Sequence, residues 1–381
     1  MDYFLTEEQQ FMRDVARDIA DKRIRPVAAE YDETGEFAWP IVEAIAEADL
    51  FRVFIDEAYE GMAGGTPIMN MCVVTEELSK ACGGIALSFA GTGLGTMPIL
   101  VSGSEEQKQK YLPRIASGKS LAAFGITEAN AGSDVGAMAT RAVLDSDGYI
   151  LNGTKQWITN GGQAEIYTIF AVTDPERGAR GISAFIVEKD TPGFTFGKKE
   201  NKMGIRASAT TELIFQDCRV PAGNMLGKPG TGFLTAMKTF DMSRPGVASQ
   251  ALGIAQGALD YAVGYVKERK QFGKAIAEFQ GLQFMLADMA MKIEAARQMT
   301  YAAAGKSQRG DADLTFAGAA AKCFASDVAM EVTTDAVQLL GGYGYVKDYP
   351  VERMMRDAKI TQIYEGTNQI QRLVMARQLL R

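Results

Sequence analysis

The sequence predicts an α+β protein of three domains: an N-terminal helical domain, a middle antiparallel β-barrel or sandwich, and a C-terminal four-helix bundle. Apolar residues repeat at helical spacing up to about residue 120, then at strand spacing, and at helical spacing again after Pro229-Gly230. The chain has 381 residues, 47% of them hydrophobic, which is enough for two or three cores. We therefore predict domains at residues 1–120, 121–228 and 229–381.

Two capping-box signals begin helices in the first domain. Thr6-Glu7-Glu8-Gln9 precedes an apolar repeat of helical spacing, and Ser104-Glu105-Glu106-Gln107 repeats the signal. In this motif the hydroxyl and the Gln or Glu side chain satisfy backbone N–H groups that the first helical turn leaves without partners. Between the two signals, residues 68–100 are rich in Ala, Met, Leu and Gly and carry few charges. This composition predicts helices that the rest of the fold largely covers.

Short apolar runs separated by turn residues define the middle domain. Residues 148–161 place two β-prone runs around Asn152-Gly153, the strongest short signal for a β-hairpin. Since no helical crossover separates the runs that follow, we predict antiparallel pairing. In the last third, Ala- and Met-rich segments predict the helices of a bundle, at residues 232–268, 277–307, 314–340 and 350–380.

Charge and cysteine usage narrow the class of protein and its compartment. The formal net charge is −7, whereas a nucleic-acid-binding surface needs clustered Lys and Arg. The four cysteines lie far apart and lack C-x-x-C spacing, which argues against a metal site or a disulfide framework. We see neither a leader pattern nor an apolar run long enough for a membrane span. The sequence therefore predicts a cytoplasmic protein without a metal.

The most restrictive feature of the composition is the absence of histidine. It excludes Ser-His-Asp and Cys-His nucleophilic machinery and the usual transition-metal sites. An acid–base step must then use a carboxylate, Lys, Tyr or Cys. In QIYEGTNQIQ, residues 362–371, Glu365 lies between a glycine and an Ile363-Tyr364 pair that we expect to be buried. The surrounding spacing predicts an amphipathic helix, in which a core-facing carboxylate is out of place.

Three further segments have polar or glycine-rich patterns that suit a ligand, although each also has an ordinary structural explanation. FGITEANAGSDV, residues 124–135, runs from a strand into a loop rich in hydroxyls and backbone N–H groups. KQWITNGG, residues 155–162, places an aromatic ring and a hydroxyl on one face of a strand. AGTGLGTM, residues 90–97, has the wrong spacing and a helical context for a dinucleotide fingerprint. Each segment also has a purely structural interpretation that stays open. These are an ordinary loop for residues 124–135, a half-buried sheet surface for residues 155–162 and close helix packing for residues 90–97.

The order of several motifs along the chain favours a functional interpretation of these segments. Along essentially its whole length the chain contains, in order, TEANAGSD, NGTKQWITNGG, KMGIRAS, ERKQFGK, QLLGGYGY, RDAKI and IYEGTNQIQ. Together they resemble the acyl-CoA dehydrogenase family, in particular its short- and medium-chain members and bacterial butyryl-CoA dehydrogenases. The resemblance implies the fold of that family, FAD as the cofactor and an acyl-CoA thioester as the substrate.

The resemblance also implies the roles of individual residues. Glu365 corresponds to the glutamate that removes the substrate α-proton while a hydride leaves the β-carbon for flavin N5. Some relatives carry this base beside the arginine of FDMSRP, where the present chain has Ser243. The implied FAD contacts are Phe124, Ile126, Thr127, Ser133, Trp157, Thr159, Thr367 and Gln369, and, toward the FAD of a neighbouring subunit, Arg269, Gln271, Phe272, Gln280, Gln338 and Gly342. The implied substrate contacts are Ser133, Asp241 and Arg244 for coenzyme A, and Ala90, Gly91, Tyr364 and Gly366 around the acyl group.

The partners that the resemblance implies are further copies of the chain, as a homotetramer built from two dimers, and electron-transferring flavoprotein as the electron acceptor. Medium-chain relatives carry a glutamate where this chain has Ala90. This difference favours a short- to medium-chain, branched or alicyclic acyl group, with cyclohexanecarboxyl-CoA as one hypothesis. Two alternatives stay open: an enoyl-CoA reductase working in the reverse direction, and a non-catalytic CoA-binding scaffold.

Overall fold

The computed structural model describes residues 5–380. Helices extend to residue 116, strands occupy residues 122 to 226, and helices return from residue 232 to 379. This order confirms the predicted α+β fold class, with a sheet domain between two helical domains. The domain boundaries after residues 120 and 228 stay predictions.

The N-terminal domain begins with the predicted capping box. The Thr6 hydroxyl accepts a hydrogen bond from the Gln9 N–H at 3.2 Å, and Ser104 and Gln107 repeat the arrangement at the same distance. The helices of this domain are α1 (Glu7–Ile19), α2 (Ala28–Thr34), α3 (Trp39–Glu47), α4 (Pro67–Ala81), α5 (Gly83–Ser102) and α6 (Glu105–Ala116). As the composition predicts, α4 and α5 are buried along most of their length.

Helix α5 is long and apolar enough to cross a membrane, judged by length and composition alone. We did not expect a segment of this kind from the sequence. In the structure, 78% of its most apolar window is buried inside the protein, as in a core helix. Its hydrophobicity is therefore explained by its contacts with α4, with the sheet and with the C-terminal helices.

One sheet of eight strands forms the middle domain. The strands are β1 (Ala122–Gly125), β2 (Arg141–Asp145), β3 (Gly148–Thr159), β4 (Ile166–Val172), β5 (Ile182–Glu188), β6 (Phe194–Lys199), β7 (Thr210–Pro221) and β8 (Met225–Leu226). Their order is β6-β7-β3-β2-β4-β5-β8, with β1 paired to β4. The pairing is antiparallel as predicted, except that β1 and β2 each meet β4 in parallel.

The predicted hairpin at Asn152-Gly153 is wrong, since both residues lie inside β3. The register with β7 shifts between Leu151 and Gly153, which marks a bulge. A Cβ on Gly153 would lie 2.5 Å from the Thr140 hydroxyl, so close approach of the backbone explains this glycine. The chain instead turns at residues 146–147, where β2 meets β3.

The C-terminal domain confirms three of the four predicted bundle helices. They are α7 (Gly232–Glu268), α8 (Gln280–Arg309) and α9 (Leu314–Leu340), and a two-stranded sheet of β9 (Lys270–Gln271) and β10 (Lys274–Ala275) separates the first two. The fourth predicted helix, 350–380, is instead divided into α10 (Val351–Thr361) and α11 (Asn368–Leu379). Glu365 and Gly366 have φ values of 51° and 91°, which a right-handed helix excludes. Ile363, which we expected to be buried, is 48% exposed beside this break.

A buried ion pair holds the loop after β1 against β3. Lys155 is fully buried, and its ammonium donates to Glu128 at 2.6 Å and to the Ile126 carbonyl at 3.2 Å. The Glu128 carboxylate also accepts the backbone N–H groups of residues 139 and 140. Burial lowers the pKa of Lys155 to about 8, and the charge of Glu128 opposes that shift. The pair therefore fixes both ends of the loop.

We expect Lys155→Met to destabilise the protein by about 3–5 kcal/mol, because it leaves the buried Glu128 carboxylate without its cation. Thermal and urea unfolding of the variant measure this loss. Lys198→Met, which removes an exposed lysine from β6, is the matched control and should unfold like the wild type. Equal unfolding midpoints for the two variants would contradict the assigned role of the pair.

Candidate active site

A cavity of about 730 Å³ lies where the three parts of the fold meet. Its walls come from α4 and α5, the loop after β1, the end of β3, the first half of α7, and the segment that joins α10 to α11. Of the predicted site residues, it brings together Ala90, Gly91, Phe124, Ile126, Thr127, Ser133, Trp157, Thr159, Arg244, Tyr364, Glu365 and Gly366. Residues predicted from distant parts of the sequence therefore share one cavity.

The carboxylate of Glu365 is held in this cavity by its own turn and by α7. The positive φ of Glu365 takes the chain out of the helical path at the point where the side chain meets the cavity. Ser243 of α7 donates a hydrogen bond from its hydroxyl to this carboxylate. Burial raises the pKa of Glu365, while the Ser243 hydrogen bond and the cations Lys322 and Arg244 lower it in part. The result is a carboxyl group that is more basic than an exposed one.

The neighbouring Tyr364 also lines the cavity and donates a hydrogen bond from its hydroxyl to Gln250 of α7. The turn and α7 are therefore joined at two adjacent residues, through Tyr364 and through Glu365. Such paired contacts hold a side chain more closely than one contact does.

Trp157 and Thr159 form part of the β-domain wall of the cavity. The register between β3 and β7 shifts between Lys155 and Ile158, and Trp157 has a φ of 60° at this bulge. Bulges redirect side chains, and strained backbone conformations of this kind cluster at functional sites. The Trp157 side chain, 52% exposed, lines the cavity together with Thr159. The sequence prediction that both residues serve one face is thus consistent with the structure.

Arg244 and Asp241 lie on the α7 side of the cavity. The Arg244 guanidinium donates to Asp241 at 2.7 Å, and the second oxygen of that carboxylate accepts from Thr315 at 2.8 Å. Asp241 itself does not line the cavity. Arg244 is 6% exposed, and its Nε has no hydrogen-bond partner in the described structure. A buried donor without a partner is costly, so this nitrogen favours an acceptor from a ligand.

Met71 of α4 lines the cavity and lies between two glycines. A Cβ on Gly93 of α5 would lie 2.8 Å from the Met71 sulfur, and a Cβ on Gly246 of α7 would lie 2.9 Å from its methyl group. The thioether thus occupies space that side chains at both positions would need. Ala90 and Gly91 of α5 also line the cavity, and a Cβ on Gly91 would lie 2.8 Å from the Thr159 side chain.

The remaining predicted residues lie elsewhere on the chain. Arg269, Gln271 and Gly342 line a second cavity of about 470 Å³, in which the Arg269 guanidinium lies 5.2 Å from the centre of the Tyr343 ring. Phe272, Gln280, Gln338 and Gln369 are exposed, Phe272 to 93%. Thr367 is the N-cap of α11 and accepts from the Ile370 N–H at 3.3 Å. The single chain therefore does not bring the residues of the second cavity, or Phe272, Gln280 and Gln338, to Glu365. Thr367 and Gln369 lie two and four residues after Glu365 but do not line its cavity.

The sequence analysis did not predict several residues at the site, among them Met71, Gln250 and Lys322. Met71 and Gln250 gave no signal, because a Met and a Gln in an apolar helix are ordinary features. Lys322, which lies beneath the Glu365 turn, did give a signal in the sequence, because it is a cation in the Ala-rich run AGAAAKCFAS of α9. A lysine on a buried helix face requires a partner, and this requirement could have directed attention to it.

Family models and individual relatives match the chain over its length. The N-terminal, middle and C-terminal domain models of acyl-CoA dehydrogenase match residues 6–119, 123–218 and 230–380. A probable acyl-CoA dehydrogenase of Mycobacterium tuberculosis is 55% identical over 377 residues, covering 99% of this chain and 96% of the relative. An acryloyl-CoA reductase (NADH) of Anaerotignum propionicum is 48% identical, covering 100% and 96%.

Solved structures match the whole fold. The butyryl-CoA dehydrogenase of Megasphaera elsdenii superposes with a TM-score of 0.97 at 48% identity, with full coverage of both chains. A chain from a study of the electron-transferring flavoprotein of Acidaminococcus fermentans and flavin-based electron bifurcation superposes with a TM-score of 0.96 at 53% identity, again over both full lengths. Because the sequence models, the relatives and the fold agree, the chain belongs to the acyl-CoA dehydrogenase family and is an oxidoreductase that acts on acyl-CoA.

Proposed function

We propose that the protein dehydrogenates a short-chain acyl-CoA thioester between its α- and β-carbons, with Glu365 as the base. The observation that carries the proposal is the position of Glu365. Its carboxylate faces the same cavity as Trp157 and Thr159, and burial raises its pKa. A substrate between these walls would have a proton acceptor on one side and room for a planar ring system on the other.

FAD is the cofactor of this protein, and the β-domain wall fits it. Gly132 of the loop after β1 has no heavy atom within 4 Å of the place where a Cβ would lie, so a ligand can approach the backbone there. The half-exposed Trp157 ring and the hydroxyls of Thr127, Ser133 and Thr159 line the same cavity. We assign the flavin and its phosphates to this wall, through these residues with Phe124 and Ile126. When bound, FAD supplies the acceptor for the hydride from the β-carbon.

We assign the abstraction of the substrate α-proton to Glu365. Its carboxylate takes the proton from the α-carbon, and the electron pair of that C–H bond forms the new double bond as the hydride leaves the β-carbon. A carboxylate in water is a weak base, and burial strengthens it by raising its pKa. The hydrogen bond from Ser243 opposes that rise in pKa, as do the charges of Lys322 and Arg244.

Arg244 and Ser133 are the proposed contacts for the coenzyme A portion, with Asp241 acting through Arg244. The unsatisfied Nε of Arg244 supports this assignment, because CoA offers phosphate and carbonyl oxygens as acceptors. Asp241 keeps the guanidinium in place from the far side, with Thr315 bound to its other oxygen.

The acyl group lies toward Met71, Ala90 and Gly91, with Tyr364 and Gly366 at the reacting end. We propose that the Met71 thioether, which lines the cavity between Gly93 and Gly246, limits the length of the acyl chain. The similarity to the butyryl-CoA dehydrogenase of Megasphaera elsdenii supports the same substrate class. A cyclic group such as cyclohexanecarboxyl would need the region beside Ala90 to widen.

We further propose that electron-transferring flavoprotein accepts the electrons and that the protein is a homotetramer. The matching chain from the flavoprotein study supports the first proposal. For the second, the cavity at Arg269, Gln271 and Gly342, with the exposed Phe272, Gln280 and Gln338 outside it, offers residues to the FAD of a neighbouring subunit. For Thr367 and Gln369 we propose contacts with the cofactor beside the base.

A second candidate function is the reverse reaction, reduction of an enoyl-CoA. The similarity to the acryloyl-CoA reductase of Anaerotignum propionicum favours it. The same residues serve both directions, because Glu365 would then return a proton to the α-carbon. Rates measured in both directions with one electron partner separate the two functions.

We expect Glu365→Gln to lower kcat by about 10²- to 10⁴-fold, because the amide cannot accept the proton. Bound FAD and the affinity for product should stay near wild type, since the amide has nearly the same shape. Steady-state turnover and absorbance titration with enoyl-CoA measure the two properties. Glu331→Gln, an exposed carboxylate of α9, is the control and should turn over normally. Near-normal turnover of Glu365→Gln would show that another group is the base.

We expect Met71→Ala to shift the substrate preference toward longer acyl chains. The ratio of kcat/KM for octanoyl-CoA to that for butyryl-CoA should rise about tenfold or more, because the lost thioether opens space for additional methylene groups. Gly246→Ala should lower the ratio by pushing the Met71 methyl group into the cavity. Met289→Ala, which removes an equally buried Met from the bundle core, controls for loss of stability.

A panel of straight, branched and cyclic acyl-CoAs, tested by anaerobic bleaching of the flavin, checks these expectations directly. An unchanged ratio in Met71→Ala would exclude Met71 as a determinant of chain length. Fastest bleaching of the wild type by cyclohexanecarboxyl-CoA would replace the short-chain proposal with the cyclic one.

A further inference from the structure

A lysine from α9 is buried directly beneath the turn that carries Glu365. Lys322 is 0% exposed, and its ammonium donates to the Gly366 carbonyl at 2.8 Å and to the Asn368 side-chain carbonyl at 3.0 Å. A buried ammonium is costly unless it is hydrogen-bonded and near opposite charge. Both hydrogen-bond partners are neutral, and Glu365 is the strongest of its electrostatic partners. The lysine is therefore placed where its charge acts on the base.

The turn above Lys322 has a backbone conformation that needs external support. Glu365 and Gly366 are consecutive residues of positive φ, and a left-handed conformation costs a non-glycine residue such as Glu365 free energy. The Gly366 carbonyl accepts two hydrogen bonds, one from Lys322 and one from Gln371 at 2.9 Å. Gln371 also donates to the Glu365 carbonyl at 3.0 Å. Strained segments persist when their surroundings fix them in this way.

The second contact of Lys322 ties the turn to the start of α11. The Asn368 amide donates to the Ser326 hydroxyl at 2.9 Å and to Asp327 at 2.7 Å. The Ser326 hydroxyl in turn donates to the Lys322 carbonyl, one helical turn earlier in α9, at 2.7 Å. These groups form a closed polar network between the two helices, on the side of the turn that faces α9.

We propose that Lys322 is a positioning residue for the base: its ammonium holds the Glu365-Gly366 turn in the conformation that directs the carboxylate into the cavity, and its charge favours the ionised carboxylate. The proposal deepens the proposed function and rests on the assignment of Glu365 as the base. No atom of Lys322 needs to touch substrate or cofactor, because its effect passes through the turn.

The charges around Glu365 and Lys322 determine in which direction the pKa of Glu365 should change when Lys322 is replaced. Glu365 faces Arg244 of α7 and Lys322 of α9, with the Ser243 hydroxyl as its hydrogen-bond donor. Lys322 faces Glu365, Cys323, Asp327 and Arg244, and burial lowers its pKa to about 8. Removing the Lys322 charge takes away one of two cations that stabilise the carboxylate. The pKa of Glu365 should therefore rise, and the acid limb of the kcat–pH profile should move to higher pH.

The test uses the FAD-loaded enzyme with Lys322→Met, which removes both charge and donors, and Lys322→Gln, which keeps a donor without the charge. We expect Lys322→Met to lower kcat at least about tenfold with a smaller change in KM, because a displaced base slows the chemical step more than binding. Both variants should move the acid limb to higher pH. Lys322→Gln should regain part of kcat through its hydrogen bond to the turn.

Lys306→Met, which removes a lysine of α8 that pairs with Asp313, is the matched control and should keep the wild-type kcat and pH profile. Flavin content and thermal unfolding are measured on every variant. A Lys322→Met enzyme that melts earlier or loses flavin, yet keeps wild-type kcat per bound flavin and an unmoved acid limb, would overturn the proposal and leave Lys322 a merely structural residue.

If Lys322→Met gives no folded protein, Lys322→Gln decides the question by its acid limb alone. A shift to higher pH supports the proposal, and an unmoved limb overturns it. Failure of the proposal stays distinct from failure of the proposed function, because the latter is read from Glu365→Gln. Normal turnover in that variant would remove the base assignment whatever Lys322 does.

Discussion

The left-handed turn at Glu365 and Gly366 is the constraint on which the site depends. It interrupts what would otherwise be one helix and creates α10 and α11, and it takes the carboxylate off the helical path and into the cavity. A residue in a regular helix at this position would have its direction fixed by the helix. The free energy stored in the turn is offset by Lys322 and Gln371, which bind its carbonyl groups from two helices. Lys322 thus bonds to the turn that positions Glu365 and is also one of the cations that lower the pKa of its carboxyl group.

The β-domain wall of the cavity also combines a strained backbone segment with a nearby buried lysine. Trp157 has a positive φ at a bulge in β3, and the buried pair of Lys155 and Glu128 holds the adjoining loop. In both walls a backbone segment with positive φ presents a side chain to the cavity. Lys322 bonds to the carbonyl of the strained turn itself, whereas Lys155, two residues before Trp157, bonds to the Ile126 carbonyl of the neighbouring loop. Buried charges of this kind contribute little net stability, so their position beneath functional segments is more informative than their energy.

Local signals in the sequence predicted much of the fold, and tertiary contacts account for the errors. The capping boxes at Thr6 and Ser104 depend on four adjacent residues and are confirmed. The hairpin at Asn152-Gly153 is wrong because Gly153 is required by the close approach of Thr140, which a short sequence window does not reveal. The helix break at Glu365 was not predicted, because apolar residues keep a helical spacing on both sides of it. In the site, the family resemblance predicted residues on both walls of the cavity, but not Met71, which lies against two glycines on other helices.

The absence of histidine makes the electrostatic balance at Glu365 more demanding. A carboxyl group must be buried to become basic, yet it must still ionise in order to accept a proton. The hydrogen bond from Ser243 of α7 acts toward the second requirement by lowering the pKa of Glu365, and Gly246, three residues later on the same helix, leaves room for the Met71 methyl group. Three residues of α-helix span about 4.5 Å, so α7 presents Ser243 and Gly246 to the cavity about one helical turn apart. On the proposed function, α7 therefore contributes both to the support of Glu365 and, through Gly246 and Met71, to the limit on acyl-chain length.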